Sequence, residues 1–169
     1  MTQPYDPIRK LNAADEVEDF GCGQPALDQF LQRYALLNQR AQSAQTYVCC
    51  RAGRVVGFYS LAVGSVDPGE VPIRVIKGLA RHPVPVMILA RLAVDRSCQG
   101  QGLGRALLKD VLLRTAQAAD IAGLRCLLVH AKDAAARRWY ERWNFEPSPS
   151  DRHHLFLLTK DIKALLSEE

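Results

Sequence analysis

Two periodicities alternate along the chain. GCGQPALDQFLQRYALLNQR (21–40) puts apolar side chains at Leu27, Phe30, Leu31, Tyr34 and Leu37, the i, i+3, i+4, i+7 spacing of an amphipathic helix. Upstream, Arg9 to Asn12 suits a short first strand. TYVCC (46–50) and VVGFYSLAV (55–63) are β-rich runs, and Arg51-Ala52-Gly53-Arg54 between them reads as a hairpin turn. DPGEVPIRVIKGLARHPVP (67–85) is a longer link carrying proline and glycine. VMILARLAV (86–94) is almost wholly apolar, which predicts a mid-sheet strand covered on both faces.

Beyond the glycines of DRSCQGQGLGRALLKDVLLR (95–114), Leu103, Leu107, Leu108, Val111 and Leu112 share one face. Arg105, Lys109 and Arg114 point elsewhere, so this helix packs on the sheet with a solvated back. LRCLLVHA (124–131) predicts another buried strand. Asp133 is the candidate N-cap of AAARRWYERW, which ends near Asn144, a residue that tolerates the left-handed conformation. Within that helix Ala136, Trp139, Tyr140 and Trp143 share a face opposite Arg137, Arg138, Glu141 and Arg142. HHLFLLTK (153–160) closes the sheet, and DIKALLSEE is expected to be a short frayed tail. The order predicts a single α+β domain over residues 1–169, a central mixed β-sheet flanked by helices.

Composition narrows the setting. At 169 residues the chain can bury one sizeable core, and its 48% apolar and 24% charged content is ordinary for a globular protein. MTQPYDPIRK lacks the apolar run of a signal peptide, and no stretch approaches the roughly 18 apolar residues of a membrane helix. The expectation is a soluble, cytoplasmic protein with no membrane association. Five cysteines, an odd number without C-x-x-C spacing, and histidines without H-E-x-x-H argue for reduced thiols and no metal. A net charge of +4 permits a polyanionic partner without demanding one.

Chemistry concentrates where a central strand meets glycines and a helix. Backbone N–H groups and a helix N-terminus face an anion in that arrangement, and glycine removes the Cβ that would block approach. A Walker loop is excluded because no Lys-Ser or Lys-Thr follows. The dinucleotide pattern G-x-G-x-x-G fails too, since its last position falls on Arg105 or Leu107. What remains is Q-x-x-G-x-G at Gln99, Gly102 and Gly104, with Gly100, Gln101 and Leu103 interleaved.

This loop resembles the pyrophosphate-binding loop of the GNAT acetyltransferases, and DAAARRWYERWNF is similar to their closing A-x-x-x-Y-x-x-x-G-F signature. FGCGQPALDQFL, VVGFYSLA, PVPVMILARLAVDRSCQGQGLGRALL and LVHAKDAAARRWYERWNFEPSP extend the likeness over most of the chain. They resemble the TacT-like toxin branch, which acetylates the amino group of aminoacyl-tRNA and inhibits translation. One departure is Asn144, which stands where the family has glycine; asparagine adopts the same backbone conformation.

The resemblance implies the GNAT acyl-CoA N-acyltransferase fold, with acetyl-CoA as co-substrate and no metal. Its thioester arm would lie along Leu92, Ala93 and Val94, with a backbone N–H near Ala93 facing the oxyanion. The pyrophosphate would rest on the N–H groups from Gln99 to Gly104, joined by Arg105, and Asp133 belongs with the coenzyme-binding residues. Tyr140 corresponds to the general acid that protonates coenzyme A; read without the family, it is a buried tyrosine anchoring its helix. His130 reads as a satisfied core histidine rather than a base. An aminoacyl amine, with a pKa of about 7.7–8.0, is partly neutral already and relaxes the need for one. Arg74, Lys77, Arg81, Arg91, Arg137, Arg138 and Arg142 are candidate tRNA phosphate contacts. The implied protein partner is a ribbon-helix-helix antitoxin; a second copy in a homodimer is a candidate partner that the resemblance does not decide. Two alternatives stay open: acetylation of another amine (a protein N-terminus, polyamine or antibiotic), and a non-catalytic acetyl-CoA- or RNA-binding module.

Overall fold

The computed structural model describes residues 4–79 and 82–168. Its strands are β1 (Arg9–Lys10), β2 (Gln45–Arg51), β3 (Arg54–Val66), β4 (Val84–Val94), β5 (Cys126–His130), β6 (Glu146–Pro147) and β7 (His154–Leu158). The α-helices are α1 (Pro25–Gln29), α2 (Ala35–Arg40), α3 (Ile73–Ile76), α4 (Leu103–Ala122), α5 (Ala134–Glu141) and α6 (Thr159–Ser167). The sheet order is β1-β2-β3-β4-β5-β7-β6. β4 and β5 run parallel, whereas β5/β7 and β6/β7 are antiparallel, so the sheet is mixed as expected. A parallel pair needs a long crossover, and α4 supplies it.

Local sequence accounts for most of these elements. β2 and β3 are antiparallel and joined at Arg51↔Arg54 by Ala52 and Gly53, whose φ values of 53° and 82° make a two-residue turn of the primed kind that suits hairpins. α4 buries Leu103, Leu107, Leu108, Val111 and Leu112 as its spacing predicts. It stops at Gly123, whose φ is 73° and whose N–H reaches Ala119 O at 3.0 Å.

The chain divides into two compact units, one made of Met1–Ala62 with Ala90–Val111, the other of Val63–Leu89 with Leu112–Glu169. The first has Phe58 at its centre, wholly buried, with Phe20 edge-on at 5.4 Å and Phe30 stacked at 6.2 Å. Gly57 admits α4 to β3, since a Cβ there would meet Leu107 at 3.0 Å and Leu103 at 3.1 Å. In the second unit Val75, Val86, Cys126, Leu128 and Phe156 pack together. There the Arg125 guanidinium donates to the carbonyls of Val75 (2.7 Å) and Lys77 (3.0 Å), fastening the link to the start of β5.

Several expectations need correction. The helix read through 21–40 is broken by a π turn, Phe30–Tyr34, in which Ala35 N–H reaches back to Phe30 O. One extra residue in the turn rotates the following face by about 100°. Ala35 is therefore buried, while Tyr34 and Leu37 are 51% and 59% exposed. The link holds α3, and a two-residue strand, β6, precedes β7. The C-terminal segment is no frayed tail: α6 starts at Thr159, whose hydroxyl donates to Leu124 O at 2.7 Å, and buries Ile162 completely. β4 is sealed at Val84, Val86 and Leu89, yet Ala90 is exposed and Arg91, Leu92 and Val94 are only half-buried. Coverage on both faces thus holds for its first half alone.

Candidate active site

The end of β4 is tied down before the glycines begin. Asp95, nearly buried, accepts hydrogen bonds from Gly21 N–H (2.9 Å), Ser97 N–H (3.0 Å) and Ser97 Oγ–H (2.6 Å). Burial alone would raise its carboxyl, but these bonds and Arg54 outweigh it and hold the group below the usual carboxylate range. The Gln99 amide then donates to both Cys22 O and Val94 O, each at 2.9 Å. Its side chain therefore shapes the loop, and its own N–H turns back to Arg96 O at 3.4 Å, which leaves an anion to the N–H groups that follow.

Gly100 and Gly102 follow with φ of 75° and 86°, a region that favours glycine. A Cβ at either would meet no protein atom within 4 Å, so both lie against open space. α4 opens at Leu103, and the bond from Ala106 N–H to Gly102 O at 3.1 Å closes its first turn. The N–H groups of Leu103 and Gly104 precede that bond and have no acceptor within the helix. They point out of a 20-residue helix whose dipole places roughly half a positive charge at this end. Arg105 is exposed on the same turn, and Ala93 is buried beside half-buried Leu92 and Val94. Sequence reasoning missed Asp95 and Gly57. A lone glycine inside the apolar run VVGFYSLAV was the available signal for close backbone approach at Gly57.

The second unit carries Asp133 and Tyr140. Asp133 Oδ1 accepts from Ala136 N–H at 2.8 Å, the N-cap its position predicted, which commits that oxygen to the helix. Two turns on, Tyr140 is 7% exposed, its ring edge-on to Trp139 at 5.0 Å and to Phe145 at 5.4 Å. Burial, as sole cause, pushes its phenol well above the ordinary value of 10.0, so the hydroxyl keeps its proton throughout the physiological range. Asn144 ends the helix with φ of 69°, the glycine-like conformation expected of it. His130 is not a core histidine: it is exposed and stacks on His154 at 4.0 Å. Partial desolvation of the ring first, and the neighbouring His154 second, lower its pKa against an opposing pull from Asp151.

The candidate phosphate contacts divide sharply. Arg74 is clasped by Glu146 and by Asp161, the latter at 3.1 Å, and Arg137 faces Glu141 at 3.5 Å. Arg91 lies over the Phe30 ring at 3.7 Å. Lys77, Arg138 and Arg142 are exposed, while Arg81 lies outside the described residues. All five cysteines are free thiols, four of them buried. Among the described residues no group of three or more His, Cys, Asp or Glu is arranged to hold a metal, and no helix is long and apolar enough to cross a membrane.

The class of protein is a group-transfer enzyme, an acetyltransferase. Residues 42–147 match the acetyltransferase (GNAT) domain model, and the chain belongs to that family. It is 48% identical to a tRNA-acetylating toxin of Mycobacterium tuberculosis over 97% of this chain and 98% of the relative. Among solved structures it resembles AtaT complexed with acetyl-methionyl-tRNAfMet, at TM-score 0.89 and 28% identity, covering 96% of this chain and 99% of that one. It also resembles an AtaT mutant toxin bound to the C-terminus of the antitoxin AtaR and acetyl-CoA, at TM-score 0.82 and 28% identity, over 95% and 98% of the two chains. The residues present fit a coenzyme pyrophosphate: open space beside Gly100 and Gly102 adjoins first-turn N–H groups that the helix itself cannot satisfy.

Proposed function

We propose that the protein transfers the acetyl group of acetyl-CoA to the amino group of aminoacyl-tRNA and acts as the toxin of a toxin–antitoxin pair. The observation that carries this reading is end-to-end similarity to a tRNA-acetylating toxin in a chain whose glycine cradle is intact. Acetyl-CoA supplies an activated acetyl thioester. The N–H groups from Gly100 to Gly104 bind its pyrophosphate, with Gln99 bracing the loop, Arg105 adding charge and Asp133 holding the start of α5. Leu92, Ala93 and Val94 offer backbone from the half-covered end of β4 to orient the thioester arm. Tyr140 holds on its phenolic oxygen the proton that a departing thiolate needs. The whole chain serves as one acetyltransferase domain, working in the cytoplasm where charged tRNA is found. A ribbon-helix-helix antitoxin restrains it, a partnership supported by the antitoxin-bound relative.

The decisive test is transfer of labelled acetyl from acetyl-CoA to charged tRNA, run beside peptide N-termini and polyamines. Acetyl-aminoacyl-tRNA is the expected product, and expression without an antitoxin should arrest growth. Acetylation of the peptides or polyamines alone would refute the tRNA reading.

Affinity for tRNA should fall steeply with salt, because each phosphate contact releases counterions. Changing Lys77, Arg138 and Arg142 together to alanine should lower the slope of log K against log salt by roughly 2. Arg74→Ala should instead lower the melting temperature and leave the slope alone, since its charge is spent on Glu146 and Asp161. An ionic-strength series on both variants checks this, and an unchanged slope in the triple variant would place the tRNA elsewhere.

A further inference from the structure

The N-terminal arm ends on the glycine loop. It runs along the edge of β2, pairing Arg9↔Val48 and Lys10↔Tyr47, and continues with Asp6 N–H donating to Cys50 O at 2.8 Å. Most of the arm is exposed, but Tyr5 is half-buried. Its hydroxyl donates to Gln101 Oε1 at 2.7 Å, across 96 residues of sequence. Its ring lies under the Arg51 guanidinium, whose carbon is 4.0 Å from the ring centroid, and Arg51 Nη1 reaches Cys98 Sγ at 3.6 Å. The other end of the Gln101 amide donates to Ser97 O at 3.3 Å. Gln101 is thus clasped between the arm and the turn that precedes the loop.

Gln101 stands between Gly100 and Gly102, the loop positions with the greatest backbone freedom to lose. A loop that must be ordered by its ligand binds more weakly than one held in place beforehand. Pro4 and Pro7 flank the Tyr5-Asp6 pair, and proline fixes φ, so little further freedom is lost in setting the tyrosine on its acceptor. The polar side-chain hydrogen bond from the arm to the loop therefore falls on the residue whose immobilisation matters most.

We infer that Tyr5 is a positioning residue for coenzyme binding: through Gln101 it preorganises the glycine loop in the conformation that presents its N–H groups to a pyrophosphate. The inference rests on the coenzyme reading of that loop. It adds to it a device outside the loop, the cradle and the helix that carries Tyr140.

The test uses the full chain. Acetyl-CoA is titrated calorimetrically into wild type, Tyr5→Phe, Gln101→Met and the double variant, with melting temperature and steady-state kinetics on each preparation. Phenylalanine keeps the ring on Arg51, so Tyr5→Phe should fold, and Gln101→Met removes the acceptor independently. Each single variant should raise Kd and KM for acetyl-CoA about 3–10-fold. Tyr5→Phe should change neither kcat at saturating acetyl-CoA nor KM for the amine acceptor, a split that a merely structural role does not produce. The double variant should be no weaker than Gln101→Met alone, because that variant already removes the bond from Tyr5 together with the one to Ser97 O. Wild-type affinity in Tyr5→Phe, a lowered melting temperature with unchanged Kd, or additive losses would each overturn the positioning role alone. Undiminished binding in Gly102→Trp would overturn the coenzyme reading, and the inference with it.

Discussion

Tyr140→Phe should lower kcat by about 10²–10⁴-fold while leaving acetyl-CoA affinity unchanged. Phenylalanine keeps the ring that fills the space beside Trp139 and Phe145 and deletes only the hydroxyl. That hydroxyl is a proton donor held in reserve, because burial keeps the phenol protonated far above neutral pH. Its own ionisation should consequently not limit turnover below about pH 10, the ordinary tyrosine value. Loss in kcat and kcat/KM together, with cofactor affinity intact, marks a group that acts in the transition state. An anchoring role predicts a different pattern, with stability reduced by about 1 kcal/mol and nearly unchanged chemistry. Melting temperature, cofactor affinity and acetyl transfer measured on one preparation separate the two. Near-wild-type transfer by the phenylalanine variant would remove Tyr140 from the mechanism.

Gly102→Trp should weaken acetyl-CoA binding at least about 100-fold, since hydrogen bonds to a charged group contribute about 1.5–3 kcal/mol each. Two effects must be separated. At φ of 86° any side chain is strained, at a cost of about 1–2 kcal/mol. The new indole would also project into space where a Cβ meets no protein atom, the space assigned to the pyrophosphate. Gly123 offers a matched control at the opposite end of α4, with φ of 73° and the same open surroundings. Gly123→Trp should therefore lose comparable stability and keep its coenzyme affinity. Equal binding in wild type and the folded Gly102 variant would take the pyrophosphate away from this loop.

The two substitutions test readings of different origin. The cradle at Gly102 follows from backbone chemistry that glycines before a helix already signal. A catalytic Tyr140 follows from family resemblance, because its helical spacing alone is equally served by a buried anchor. The structure adds burial and a retained proton to that position, both of which suit an acid. For Gln99 it moves the emphasis from ligand to scaffold, since the amide hydrogens are spent on Cys22 and Val94.

Features that depend on neighbours a few residues away were legible from the sequence by itself. The Ala52-Gly53 hairpin, the Asp133 cap, the left-handed Asn144 and the buried face of α4 each follow from short-range sterics and periodicity. The reading of the Gly100–Gly104 stretch as an anion site rests on the same short-range chemistry, glycines before a helix start. Tertiary structure alone decided which groups were already engaged. It paired Arg74 with Glu146 and Asp161, drew Gly21 onto Asp95 and brought Tyr5 to Gln101, contacts spanning 72 to 96 residues. It also rotated the second half of the α1–α2 helix through a π turn and docked α6 by burying Ile162. Periodicity records which face of an element is apolar, whereas partners and phase shifts are set by what the folded chain brings against that face.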